Sequence, residues 1–97
     1  MSYRVVFNHP ALKRNFDKIL ERIPTDTQES IWEALLKLAD NPRPHGVTKI
    51  TPAMEIYDSM AQYRIRIQNH RIFYDIDDEA KVVSIIALRK RDEKTYS

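Results

Sequence analysis

Apolar and polar positions alternate along residues 63–76, YRIRIQNHRIFYDI, on both sides of a Gln-Asn pair suited to a tight turn. The pattern predicts two strands folded back on each other. With Gln68 and Asn69 as a two-residue turn, Ile67 faces His70, Arg66 faces Arg71, Ile65 faces Ile72, Arg64 faces Phe73 and Tyr63 faces Tyr74. One face then carries Tyr63, Ile65, Ile67, Ile72, Tyr74 and Ile76 and is apolar enough to be buried. The other carries Arg64, Arg66, Gln68, Arg71, Phe73 and Asp75. Two arginines directly opposite each other repel, at a cost of a few tenths to about 1 kcal/mol. A lone arginine on an outer strand face is ordinarily just solvated, whereas three on one face suit a phosphate-bearing ligand.

The rest of the chain supplies elements to cover the apolar face. Residues 3–7, YRVVF, read as a short edge strand. Pro10 opens a helix with Asn8 or His9 as its cap, and Leu12, Phe16, Ile19, Leu20 and Ile23 recur at helical spacing until Pro24. A second helix begins at Thr25, where Gln28 three residues on predicts a capping box. Ile31, Leu35 and Leu38 form its core stripe, which Trp32 and Leu36 are expected to widen. Asn41-Pro42 ends it. Residues 41–53 contain three of the five prolines and the only glycine, so they predict a long irregular connection, followed by a short strand over 54–57. After the central hairpin comes an acidic turn, then KVVSIIAL over 81–88, apolar enough to lie mid-sheet with both faces covered. Pairing Ile76 with Val82 would put Val83, Ile85, Ala87 and Arg89 on the face of Arg66 and Arg71. The order predicts an α+β fold of two layers, β-α-α followed by three or four strands, with the helix hairpin on one face of a mainly antiparallel sheet and the other face partly bare.

Composition removes several function classes. Ninety-seven residues suit one domain, 1–97, with a modest core. The absence of cysteine excludes disulfides, thiolate metal sites and a cysteine nucleophile. His9, His45 and His70 have no metal-ligand spacing, so neither metal nor cofactor is expected. No leader-like or membrane-length apolar run is present, which predicts a cytoplasmic protein without membrane attachment. A formal charge of +2 does not by itself argue for nucleic acid, but the C-terminal acids collect at 75–79 and 92–93 and leave the arginines relatively unopposed.

The succession Y-R-I-R-I, H-R-I-F-Y-D-I-D-D, K-V-V-S-I-I-A-L and R-K-R-D-E-K-T-Y resembles the RelE/ParE superfamily of bacterial and archaeal toxins, in its RelE-like branch. The resemblance spans essentially the whole chain and is most specific over 63–96. It implies a RelE-like fold whose last strand lies beside the first. It further implies the toxin of a type II toxin-antitoxin system: a ribosome-dependent mRNA endonuclease, or mRNA interferase, that inhibits translation by cutting in the A site. The implied partners are a cognate antitoxin, in a hetero-oligomer, and the ribosome with its mRNA. Carried over residue by residue, the family's site falls on Arg66, Arg71, Arg91 and Tyr96 as catalytic residues. Arg64, Arg89, Lys90 and Lys94 would add RNA contacts.

Metal-independent RNA cleavage uses the substrate's 2′-hydroxyl to attack the adjacent phosphate. The protein must align it, stabilise charge on the phosphoryl oxygens and move protons. Arginine suits the second task because it is planar, always charged and bidentate to phosphate. It is a poor base, and family members commonly carry lysine where Arg64 and Arg66 stand. The proton acceptor is therefore open among His70, Lys90, Glu93 and Glu55. The alternative readings are a non-catalytic ParE-like inhibitor of DNA gyrase and an inactive solitary copy.

Overall fold

The central hairpin forms in the predicted register. A computed structural model of the chain describes residues 2–90. Its elements are β1 (Arg4–Val6), α1 (Pro10–Glu21), α2 (Thr25–Asp40), β2 (Thr48–Ile56), β3 (Ser59–Ile67), β4 (His70–Asp77) and β5 (Val82–Lys90). All five predicted β3–β4 pairs, from Ile67 opposite His70 to Tyr63 opposite Tyr74, are Cα partners. The sheet runs β1-β5-β4-β3-β2. Every pairing is antiparallel except the parallel β1–β5 edge, so the last strand does lie beside the first. Within residues 2–90, no helix is long and apolar enough to cross a membrane.

Both helices follow their apolar stripes. Pro10 occupies the first turn of α1, and the His9 side chain caps it by accepting from the Ala11 N–H at 3.2 Å. Leu12, Phe16 and Leu20 are buried from α1, and Ile31, Leu35 and Leu38 from α2. The capping box does not form. Pro24 holds the cap position of α2 with no side-chain bond, and Thr25 is already helical. Gln28 instead turns back and donates its amide to the carbonyls of Leu20 and Ile23, at 2.9 and 2.8 Å. Carbonyls at a helix end lack helical partners, and the tight α1–α2 joint brings them within reach. Trp32 and Leu36 are likewise corrected: they are 44% and 71% exposed, because α2 packs on the sheet through the narrower stripe of Ile31, Leu35 and Leu38.

Two strands depart from expectation. β2 begins at Thr48, six residues before the predicted strand, because its pairing with β3 is interrupted between Lys49 and Met54 and resumes beyond. Pro52 falls inside this break, and the strand lies at the sheet edge, where a missing N–H is tolerated. On the other side, Ile76 pairs with Val83 rather than Val82, and the register shifts again between Tyr74–Ile85 and Phe73–Ala87. Ile86 is the extra residue of that bulge. Val83 and Ile85 therefore face the helices with Ile76 and Tyr74, while Ala87 and Arg89 share the arginine face as predicted.

These irregularities generate two apolar clusters. The main one joins Phe16, Leu20, Ile31, Leu35 and Leu38 to Ile72, Tyr74, Val83, Ile85 and Leu88 on the helix side. The smaller one joins Leu12, Ile56, Ala61, Phe73 and Ile86. Phe73 points away from the helix side, so the far end of the β2–β3 hairpin must curl over the opposite face to reach it. There the Asn15 amide donates to the Tyr57 hydroxyl, joining α1 to the hairpin tip. Part of the face expected to be bare is thus covered, and among the described residues no such cluster covers the end bearing Arg66 and Arg71.

The connection after α2 is pinned from two sides. Tyr74, fully buried, donates its hydroxyl to the Pro42 carbonyl at 2.7 Å, and burial raises its pKa well above the usual phenol value. Arg43 lies over the Tyr63 ring and pairs with Asp78, whose carboxyl also accepts from Tyr3. The Arg43 contact, with Tyr3 second, holds the Asp78 pKa down at about 2.

Tyr74→Phe leaves the buried Pro42 carbonyl without its donor and should lower unfolding free energy by about 1–3 kcal/mol in denaturant titrations. His70 is buried between Ile67 and Lys90 and its Nδ1 has no hydrogen-bond partner. Burial first, and the Lys90 charge second, lower its pKa below the ordinary 6.5. Below that pH the unfolded chain takes up a proton that the folded chain resists. Stability contributed by neutral His70 is therefore complete above about pH 6.5 and is lost as pH falls through that window. Unfolding at pH 7.5 and 5.5 should show this slope in the wild type and a flatter profile in His70→Gln.

Candidate nucleic-acid interface

Strand alternation and the bulge at Ile86 bring three arginines into one line. Arg66 of β3 is the Cα partner of Arg71 of β4, which is the partner of Arg89 of β5. Adjacent strands lie about 4.8 Å apart, so the line crosses about 10 Å of sheet. Arg64 stands one pleat away, opposite Phe73, which in turn faces Ala87. Arg66 and Arg89 are exposed, and Arg64 and Arg71 are half-buried.

Local contacts fix where the charges sit. The Arg66 Nε donates to the Gln68 carbonyl at 3.2 Å, and the Arg89 guanidinium lies 5.6 Å from the centre of the Phe73 ring. Gln68 takes a positive φ of 53° in the turn. Its side chain is clamped to α2, accepting from the Thr27 hydroxyl at 2.8 Å and donating to the Ser30 hydroxyl at 3.2 Å. The turn that sets the register is thus tied to the helix layer. The acid on this face, Asp75, is four positions along β4 from Arg71 and pairs with Ser84. One of its carboxylate oxygens is buried without a hydrogen-bond partner.

The other predicted residues fall elsewhere. His70 and Lys90 face each other on the helix side, across the sheet from the arginines, so neither joins the row. Glu55 is exposed on the curled end of β2, opposite Met60, and forms no ion pair among the described residues. Arg91, Glu93, Lys94 and Tyr96 lie outside the described residues. Within residues 2–90, no group of His, Asp and Glu side chains is arranged to hold a metal ion. Sequence reading put Arg89 on the correct face but not opposite Arg71, because the bulge that sets this pairing has no glycine or proline to mark it. It assigned no role to Lys18, Arg22 or Tyr57, which with Arg89 line a cleft of about 350 Å³. Helical spacing links Lys18 to Arg22, but only the curled hairpin brings Tyr57 to them.

A cationic row in register across three strands can hold successive phosphates of one strand or a single phosphate from several sides. Over residues 5–95 the chain matches the family model of the ParE toxin of type II toxin-antitoxin systems, parDE. No curated protein matches it by sequence. Among solved structures, the archaeal RelE–RelB complex from Pyrococcus horikoshii shares 26% identity, covers 96% of this chain and 99% of that one, and superposes with a TM-score of 0.72. The RelBE2 toxin-antitoxin complex from Mycobacterium tuberculosis shares 21%, covering 94% and 93%, with a TM-score of 0.65. An arginine-to-alanine mutant of the E. coli toxin RelE in the free state shares 20%, covering 97% and 88%, with a TM-score of 0.56. The last two show the same fold. With nearly its whole length matched, the chain belongs to the RelE/ParE superfamily and is a toxin of a type II toxin-antitoxin system.

Proposed function

We propose that the chain is a metal-independent endoribonuclease that cuts mRNA on the ribosome and so inhibits translation. The observation that carries this reading is the row Arg66, Arg71 and Arg89, in register on three neighbouring strands. In the reaction, the 2′-hydroxyl of the substrate attacks the adjacent phosphorus while its proton passes to a base. The bond to the 5′-oxygen breaks, and that oxygen takes a proton. Arginines around the phosphate stabilise the charge that builds on its oxygens, and they do so without changing protonation state. Arg64 extends the strand contact. Arg91 and Tyr96, carried over from the family pattern, would complete the site, with Tyr96 stacking on a base. Action on ribosomes requires a cytoplasmic protein.

The partner is a cognate antitoxin, supported by the two antitoxin complexes among the similar structures. Its acidic side chains would neutralise the charges that otherwise hold RNA. A second reading, inhibition of DNA gyrase without catalysis, is favoured by two observations. The matching family model is of the ParE type, and neither His70 nor Lys90 stands on the arginine face to take a proton.

Pulse labelling after induction without antitoxin separates the two. Methionine incorporation should fall before thymidine incorporation, and the reverse order would favour gyrase. Arg71→Ala should lower the rate of mRNA cleavage on programmed ribosomes by about a hundredfold to a thousandfold, the usual cost of losing one preorganised donor to a developing anion.

A further inference from the structure

Beside the arginine row lies a cleft of about 350 Å³ between α1, the second half of β5 and the β2–β3 turn. Its lining includes Lys18, Arg22, Arg89 and the apolar Ile86, and among the described residues none that lines it is acidic. Asn15, Lys18 and the C-cap residue Arg22 follow one another at helical spacing, so one stripe of α1 and its C-cap supplies one wall. Across from it stands Tyr57, 61% exposed and held at a φ of 56°. That φ belongs to the two-residue turn between Ile56 and Ser59, as the matching φ of Gln68 belongs to the turn between Ile67 and His70, and it sets where the ring leaves the hairpin. The Asn15 amide donates to the Tyr57 hydroxyl and so fixes the ring in the lining of the cleft.

We propose that this cleft is a second nucleotide subsite, taking a nucleotide that flanks the scissile one on the same RNA strand. Lys18 and Arg22 contact its phosphates, and the Tyr57 ring stacks on its base. The inference rests on the nuclease reading above and extends it. Arg89 belongs to both the row and the cleft, so a strand can pass from one to the other without leaving cationic surface. The volume is at the small end for a ligand site, right for one unpaired nucleotide and too small for a duplex. An acidic peptide would also meet the cations, but an exposed aromatic ring fixed across from a basic stripe is the arrangement that holds unstacked bases.

The test measures binding of a fluorescent single-stranded heptanucleotide, 2′-O-methylated to block cleavage, to the full chain across a salt series. Lys18→Ala/Arg22→Ala should weaken binding and flatten the plot of log affinity against log salt by about 1.4, the contribution of two single-strand phosphates. Tyr57→Gly removes the ring while easing the positive φ. It should cost roughly tenfold in affinity with the salt slope unchanged. A 4-thiouridine in the probe should crosslink to Tyr57 or its neighbours. If both cleft variants bind as wild type while Arg66→Ala/Arg71→Ala loses binding, the subsite is wrong and the nuclease reading stands. If the wild type binds an acidic peptide through the cleft but no RNA, the subsite is overturned, and cleavage on programmed ribosomes decides the nuclease reading separately.

Discussion

Three guanidinium groups on neighbouring strands repel one another, and what keeps them in line is the apolar surface on the reverse of the same strands. Ile72, Tyr74, Ile85 and Leu88 are buried against α1 and α2. A slip of one residue in any of these strands would turn those side chains to solvent and the arginines into the core. The register is thus set by burial, and the arginine row is a consequence of it. Each like-charged neighbour costs up to about 1 kcal/mol. That cost is small beside the burial of even one large apolar side chain, about 1.5–3 kcal/mol. The fold can therefore hold three arginines in register on neighbouring strands.

Two departures from regular pairing shape the surface on which the row sits. The Ile86 bulge changes which side of β5 faces out partway along the strand, so that the same strand gives Val83 and Ile85 to the main core and Arg89 to the open face. The interruption in β2 frees the far end of the hairpin to curl, and Ile56 and Ala61 close a second small core with Phe73, Ile86 and Leu12. One end of the outer face is thereby covered, and among the described residues the other is left open. The open end holds Arg66, Arg71 and Arg89.

Much of this was legible in the chain because period-two alternation in 63–76 admits one buried face, and that alone fixes which residues of β3 and β4 oppose each other. The helix stripes were legible for the same reason, with Trp32 and Leu36 as the excess: periodicity shows which side of a helix is apolar but not how wide a strip its neighbour can cover. The start of β2 was hidden because prolines usually mark loops, and only the edge position and the broken pairing let Pro52 sit within a strand. The bulge at Ile86 was hidden because a uniformly apolar run gives no parity signal. For the site, Arg64, Arg66 and Arg71 could be placed on one face from sequence, and Arg89 with them. The separation of His70 and Lys90 from that face follows from the same alternation. The link to Tyr57 required the tertiary curl.

In the proposed reaction the arginine row stabilises charge during attack by the substrate's own 2′-hydroxyl. Cleavage by that route leaves a 2′,3′-cyclic phosphate on one fragment and a 5′-hydroxyl on the other. Mass spectrometry of mRNA fragments released from programmed ribosomes by the purified toxin reads those ends directly. The account predicts cyclic phosphate with the wild type and intact message with Arg66→Ala/Arg71→Ala. Fragments ending in 3′-hydroxyl and 5′-phosphate, or uncut message from the wild type, would contradict it.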